Sequence, residues 1–127
     1  MGNGNGNEVV IRWLEAPEDK DYPAAASYLG LLLPVAEVQP LVDRLRAAPL
    51  TRFKAKDIFR ASGLSLLGVS NFHVEKDRKK LQDGGALSPV LLVRQAALGK
   101  VVVADGYHRV CAVYSFSEDE WIPCKIV

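Results

Sequence analysis

The stretch VVVADGYHRVCAVY, residues 101–114, decides the fold of this chain. Its unbroken valines, residues 101–103, predict a strand that is buried on both faces. Asp105 and Gly106 then predict a tight turn into a helix that reaches about residue 114. This helix would bury one stripe, formed by Val110, Val113 and Tyr114. We therefore expect a buried strand that leads directly into a packed helix.

The junction between this strand and this helix suits an anion. The first amides of a helix lack internal partners and carry the positive end of the dipole, and Gly106 would let a phosphate approach the backbone. Arg109 adds a forked, charged donor, and His108 adds a titratable one. Alternatively, Asp105 caps the helix by accepting from the amide of Tyr107 or His108, and Arg109 pairs with a surface carboxylate. The spacing alone leaves both interpretations open.

The elements around the junction predict a small sheet with helices. A helix begins at Asn71 or Ser70 as its cap, runs through Leu81 and stops at the following Gly-Gly pair. Further strands are expected at residues 89–94 and 122–127, in one sheet with the strand at residues 100–104.

The N-terminal half predicts additional helices before this core. Residues 1–7 alternate Gly and Asn and are expected to form a disordered leader. The next elements in order are a strand within residues 8–15, a helix from Asp21 to Leu33, a helix from Pro40 to Pro49, and an ambiguous segment, residues 51–58. The expected architecture is a single α+β domain over residues 8–127, with a small mixed sheet and an extra N-terminal helical segment. Residues 28–33 are apolar enough for the core or for a homo-oligomer contact, and we favour the core.

Composition excludes several classes of protein. The 127 residues suffice for one core, and 49% of them are hydrophobic and 24% charged, as in ordinary globular proteins. A net charge of +1 is too small for general attraction to nucleic acid or acidic membrane. The longest apolar run, residues 29–35, is far shorter than the roughly 20 residues of a membrane span. With no secretory signal visible, we expect a cytoplasmic protein without a membrane partner.

Four short motifs in the C-terminal half belong together. They are Asn71 before its helix, GALSPVLLV at residues 85–93, DGYHR at residues 105–109, and IPCKIV at residues 122–127. With these motifs in register, residues 71–127 resemble the ParB/sulfiredoxin superfamily. The resemblance implies a ParB/sulfiredoxin-like fold in which the Gly-x-x-Arg loop and the helix behind it hold the phosphates of ATP or CTP.

The resemblance implies a set of binding residues. The candidates for phosphate or nucleotide binding are Asn71, His73, Asp105, Gly106, Tyr107, His108 and Arg109. Mg²⁺ would bridge the phosphates, and Asp105 would either cap the helix or contact the metal. His73 stands where many relatives have an Arg that reaches the nucleotide, so that contact is weakened or depends on the protonation of His73.

Departures from the family restrict what the resemblance implies. Sulfiredoxins have a catalytic Cys where this chain has Tyr107, and a phenol cannot replace a thiolate in sulfinic acid repair. Cys111 is expected to be a core residue rather than a displaced nucleophile, and Cys124 a packing residue; no metal-ligand spacing surrounds either. No residues follow Val127 for a helix-turn-helix, so we expect no sequence-specific DNA binding by that route.

The leading hypothesis is a protein that binds a nucleoside triphosphate or another phosphate ligand, with phosphoryl transfer or hydrolysis as its chemistry. The residues do not identify a catalytic group, and the unplaced acidic candidates are Glu15, Glu18, Asp19 and Asp57. The alternatives are a non-enzymatic interaction module that kept the fold and a ParB-like nuclease, which needs a carboxylate pair that the sequence does not show. A basic surface is conceivable, but we favour ordinary solvated side chains for its members, Arg52, Lys54, Lys56, Lys76, Arg78, Lys79 and Lys80.

Overall fold

A computed structural model of the chain describes residues 9–65 and 71–127. The leader expected at residues 1–7 and Ser70, the alternative helix cap, lie outside the described residues.

The described residues form helices and strands in mixed order. The helices are α1 (Asp21–Leu32), α2 (Val35–Ala47), α3 (Ala55–Ser62), α4 (Phe72–Gln82) and α5 (Tyr107–Phe116). The strands are β1 (Arg12–Trp13), β2 (Thr51–Lys54), β3 (Ala86–Leu87), β4 (Val90–Gln95), β5 (Lys100–Asp105) and β6 (Trp121–Ile126). The chain is an α+β protein, as the sequence predicts.

The main sheet has four strands in the order β2-β6-β4-β5. Strands β4 and β6 are parallel, whereas β2 pairs with β6 and β4 with β5 in antiparallel fashion, so the sheet is mixed. A separate parallel pair joins β1 to β3. The prediction that β4, β5 and β6 share one sheet is confirmed.

Helices cover both faces of this sheet. Val101 and Val103 of β5 face the cluster that includes side chains of α3 and α5, whereas Val102 and Ala104 face the cluster built with α1 and α2. Alternate residues of a strand point to opposite faces, so the valine run is covered on both sides, as predicted. The helix stripe is confirmed as well, since Val110 and Val113 are 1% and 0% exposed.

The N-terminal helices differ from the sequence prediction in two respects. Helix α2 begins at Val35, directly after Pro34, and not at Pro40, which lies inside it. At this sixth helical position the proline cannot donate to the carbonyl of Ala36, so the helix forms at the cost of one internal hydrogen bond. The expected core role of residues 28–33 is wrong for most of them: Leu29 is buried, but Leu31 is 81% exposed, and Tyr28 and Leu32 are exposed as well.

Two further segments refine the sequence prediction. The ambiguous residues 51–58 contain both alternatives, since β2 ends at Lys54 and α3 begins at Ala55. Within residues 8–15, the strand β1 covers only Arg12 and Trp13. Within the described residues, no helix is long and apolar enough to cross a membrane.

Candidate functional site

The β5–α5 junction brings most of the predicted binding residues together. Asp105 ends β5, Gly106 has a positive φ of 107°, and α5 begins at Tyr107 without a hydrogen bond from a capping side chain. The carboxylate of Asp105 instead accepts a hydrogen bond from Arg109, with Nη2 and Oδ2 3.1 Å apart. The alternative in which Asp105 caps the helix is therefore wrong, and no side chain within residues 9–65 and 71–127 caps the first amides of α5.

Arg109 is held against the junction by two hydrogen bonds, both donated by its Nη2 atom. Its Nη2 also donates to the carbonyl oxygen of Pro89 at 3.3 Å, and the side chain is only 17% exposed. The Nε atom is buried and has no hydrogen-bond partner among the described residues. The guanidinium therefore has one N–H donor that the described part of the chain does not use.

Gly106 is required by close packing as well as by its backbone conformation. A Cβ atom at this position would lie 2.8 Å from Nη2 of Arg109 and 2.9 Å from Cγ2 of Val90. Both distances are shorter than real Cβ contacts, and Val90 is fully buried. The absent side chain of Gly106 thus makes room for the guanidinium of Arg109.

A polar cavity of about 200 Å³ opens beside this junction. Helix α4 contributes His73, Lys76 and Asp77, and the junction contributes Asp105, Gly106, His108 and Arg109. The rings of His73 and His108 lie 4.8 Å apart between their centroids, so the two helices converge at the two imidazoles. Basic groups from two helices thus face the same space as the N-terminus of α5.

Two of the predicted binding residues, Asn71 and Tyr107, do not line the polar cavity. The side chain of Asn71 caps α4, its Oδ1 accepting from the amides of His73 at 3.0 Å and Val74 at 3.2 Å. Asn71 does not line the polar cavity, but it fixes the turn that carries His73. Tyr107 points to the other side of the junction, where its ring meets Phe59 edge-on at 6.3 Å.

A second cavity of about 350 Å³ lies on the Tyr107 side of the junction. It shares Asp105, Gly106 and His108 with the polar cavity, and its remaining lining is mostly apolar, from Ala24, Tyr28, Leu64, Val103, Ala104 and Tyr107. Burial raises the pKa of Tyr107 above that of an ordinary phenol, and Cys111 adds to this effect. The residues of the DGYH turn therefore separate a polar compartment from an apolar one.

The surroundings of His108 change its pKa. Burial lowers the pKa of His108, the charge of His73 lowers it further, and Asp77 opposes both effects. The pKa of His108 is therefore lower than that of an ordinary histidine, and the neutral form of its ring is favoured.

Two carboxylates that the sequence did not place lie near the junction. Asp21 of α1 is 3% exposed, accepts a hydrogen bond from the amide of Glu18 at 2.9 Å and interacts with the carboxyl group of Asp105. Burial raises the pKa of Asp105, Arg109 opposes this shift and Asp21 adds to it. Burial also raises the pKa of Asp77 in the polar cavity, where Arg109 and His108 oppose the shift.

Sequence reasoning missed Lys76, Asp77 and Asp21. Lys76 and Asp77 follow His73 at helical spacings of three and four residues, so the face of α4 that carries His73 could have indicated them. Lys76 was assigned to a solvated surface, but it lines the polar cavity. No local signal connects Asp21 to Asp105, because they lie on elements far apart in the sequence.

The remaining candidate residues lie away from this site. Of the unplaced acidic residues, Asp57 pairs with Arg60 at 3.6 Å and Glu18 with Lys20 at 3.3 Å. The carboxylates Glu15 and Asp19 line neither cavity. The basic residues Lys54 and Lys56 pair with Asp119. Residues 9–65 and 71–127 contain no group of three or more His, Cys, Asp or Glu side chains that could hold a metal ion.

Both cysteines are buried in the core. Burial raises the pKa of Cys124 to about 12, so its thiolate is not formed at neutral pH. This burial fits the packing role that the sequence predicts.

No protein-family model matches the chain, and neither the curated proteins nor the solved structures contain a match to it.

Proposed function

We propose that the chain is a ParB/sulfiredoxin-like domain that binds a nucleoside triphosphate, ATP or CTP with Mg²⁺, at the β5–α5 junction. The observation that carries this proposal is the polar cavity at the N-terminus of α5. The first amides of α5, which no described side chain caps, converge with the guanidinium of Arg109 and the side chains of Lys76 and His73 on a space of about 200 Å³. Such a combination of helix dipole and forked cation is the ordinary protein solution for a phosphate group.

The second cavity beside the junction, called the apolar cavity from here on, favours an organic ligand over free phosphate. It adjoins the polar cavity through the residues that the two share, and Tyr28 and Tyr107 supply aromatic faces. Aromatic side chains stack on nucleobases without strict sequence preference. We therefore place the phosphates beside His108 and Arg109 and the base and sugar on the side of Tyr107.

Mg²⁺ fits this site only together with the phosphates. Mg²⁺ in nucleotide sites is commonly bound by one or two carboxylates plus phosphate oxygens, and Asp77 is the carboxylate that would hold it, since Asp105 is paired with Arg109. The metal would supply charge neutralisation for phosphoryl transfer.

Phosphoryl transfer or hydrolysis is the chemistry that we propose for the site. His108 lines the cavity, and its imidazole is able to accept a proton from an attacking hydroxyl or water. If binding occurs without turnover, the interaction module is the better description. The nuclease alternative has less support, because Asp21 does not line the cavity and Asp105 is engaged by Arg109.

Calorimetric titration of ATP, CTP and tripolyphosphate with Mg²⁺ tests this proposal. We expect a nucleotide to bind more tightly than tripolyphosphate, because only the nucleotide fills the apolar cavity. Arg109→Ala should weaken binding roughly ten- to a hundredfold, since each charge-assisted hydrogen bond contributes about 1.5–3 kcal/mol. Lys76→Gln should weaken it about threefold, and Lys79→Gln, an exposed change on the same helix, should not.

Two outcomes would contradict the proposal. If wild type binds neither nucleotide at millimolar concentration, nucleotide binding is wrong. If a nucleotide binds equally well to wild type and to Arg109→Ala, the phosphates lie elsewhere. Release of inorganic phosphate, measured with the same variants, separates a turning-over enzyme from a binding module.

A further inference from the structure

A third cavity lies at the opposite end of the main sheet. It has a volume of about 330 Å³ and opens between α3 and the hairpin of β4 and β5. Lys100 and Asp105 mark the two ends of β5, and five steps of about 3.4 Å place them roughly 17 Å apart. The groove at the Lys100 end is therefore separate from the site beside Asp105.

Apolar side chains form the floor of this groove. Phe53, Leu92, Val101 and Ile126 come from all four strands of the sheet and face the same side, where Ile58 of α3 packs against them. Small residues at the edge, Ala61 and Gly99, leave the floor accessible. A volume of this size and an apolar lining are typical of sites for small organic ligands.

Two cations stand at the rim of the apolar floor. Arg94 lies on β4 two residues after Leu92, so the alternation of the strand places it on the same side, opposite Val101 in the register. Arg94 and Lys100 are exposed, and neither side chain makes an ion pair or hydrogen bond with another described residue. Among the described residues that line the groove, Asp57 is the one carboxylate, and it is paired with Arg60 at 3.6 Å.

We propose that this groove binds a small organic anion with an apolar body, such as a medium-chain carboxylate. The charge of the rim decides the occupant. The apolar floor contacts the hydrocarbon, and the two cations, whose side chains pair with no other described residue, bind the carboxylate. A neutral molecule of the same size gains only the contact with the floor.

Octanoate and 1-octanol are matched probes, because they differ only in the charged end. We expect octanoate to bind the wild-type protein about five- to tenfold more tightly in calorimetric titration. Amide chemical shifts in an ¹⁵N-correlation spectrum should change at Ala61, Gly99 and Val101 and stay unchanged at His108.

Substitutions distinguish the contribution of the charged rim to binding from that of the apolar floor. Arg94→Gln should remove most of the preference for octanoate, and Arg44→Gln, the same change at an exposed position of α2, should not. Ala61→Phe places a large side chain at the half-buried edge of the groove and should weaken both probes at least tenfold. Thermal unfolding of each variant confirms that it is folded, and Ala61→Leu replaces Ala61→Phe if that variant does not fold.

The outcomes decide this proposal independently of the proposed nucleotide site. Equal affinity for octanoate and 1-octanol, or unchanged octanoate binding in Arg94→Gln, would overturn it. So would octanoate-induced shifts confined to His108 and its neighbours, or a loss of octanoate binding in Arg109→Gln. Failure of ATP and CTP to bind would leave the expected octanoate results unchanged.

Discussion

Replacing Gly106 by Ala should destabilise the protein by two separable effects. The positive φ of 107° is unfavourable for any residue with a Cβ atom and costs about 1–3 kcal/mol. The new Cβ would also lie 2.8 Å from Nη2 of Arg109 and 2.9 Å from Cγ2 of Val90. Val90 is fully buried and cannot move away, so overpacking adds about 1–3 kcal/mol. The sum is about 2–6 kcal/mol of unfolding free energy.

Two glycines of the same chain serve as controls. Gly84 also has a positive φ, 84°, but a Cβ there would meet nothing within 4 Å, so Gly84→Ala should carry only the same backbone cost of about 1–3 kcal/mol, without the overpacking. Gly30 lies in α1 with open space around it, and Gly30→Ala should stabilise the protein by about 0.5–1 kcal/mol.

Urea unfolding followed by circular dichroism measures these three differences. A double-mutant cycle isolates the contact: in an Arg109→Ala background, Gly106→Ala should be about 1 kcal/mol less costly, because one of the two clashes is gone. If Gly106→Ala falls within about 0.5 kcal/mol of Gly84→Ala, the close packing of Arg109 on this glycine is wrong.

Three further predictions concern the histidine, the cysteines and the exposed apolar residues. Burial lowers the pKa of His108, so as the pH falls the unfolded chain takes up a proton before the folded protein does, and stability should fall below about pH 6.5. His108→Gln should remove this part of the decline, measured as urea midpoints between about pH 7.5 and 5.5. Phosphate binding should strengthen over the same range, since protonated His108 attracts anions. Cys111→Ala and Cys124→Ala should each cost about 1–2 kcal/mol of stability and leave nucleotide affinity unchanged, because both thiols are buried in the core; loss of nucleotide binding in a folded variant would contradict this. Leu31 and Val35 are 81% and 88% exposed, so they form an apolar surface through which two copies of the chain could associate. Leu31→Glu should shift any concentration-dependent homo-oligomer toward monomer in light scattering. An unchanged molar mass would show that this surface does not associate.

Local signals in the sequence predicted the longer helices and strands of the C-terminal half, although they missed the two-residue strand β3. Strand periodicity, the Asn71 cap and the Asp105-Gly106 turn are local signals, because each depends on side chains and backbone within a few residues. The same signals failed at α2, where Pro40 was assigned to the first helical position. Local signals place a proline in the first turn, where it costs no hydrogen bond, but packing of Val38 and Val42 against the sheet outweighs the hydrogen bond that is lost at Pro40.

Only the tertiary structure decided how the candidate site is built. The spacing of residues 105–109 left open whether Asp105 caps α5 or pairs with Arg109, since both arrangements satisfy local hydrogen bonding. Packing of Arg109 against Gly106 and Pro89 selects the ion pair with Asp105. Pro89 lies in the connection between β3 and β4, so its carbonyl is brought to Arg109 by the fold. Asp21 and Asp77 reach the junction for the same reason: a fold brings together groups that are distant in the sequence, and no local pattern records that proximity.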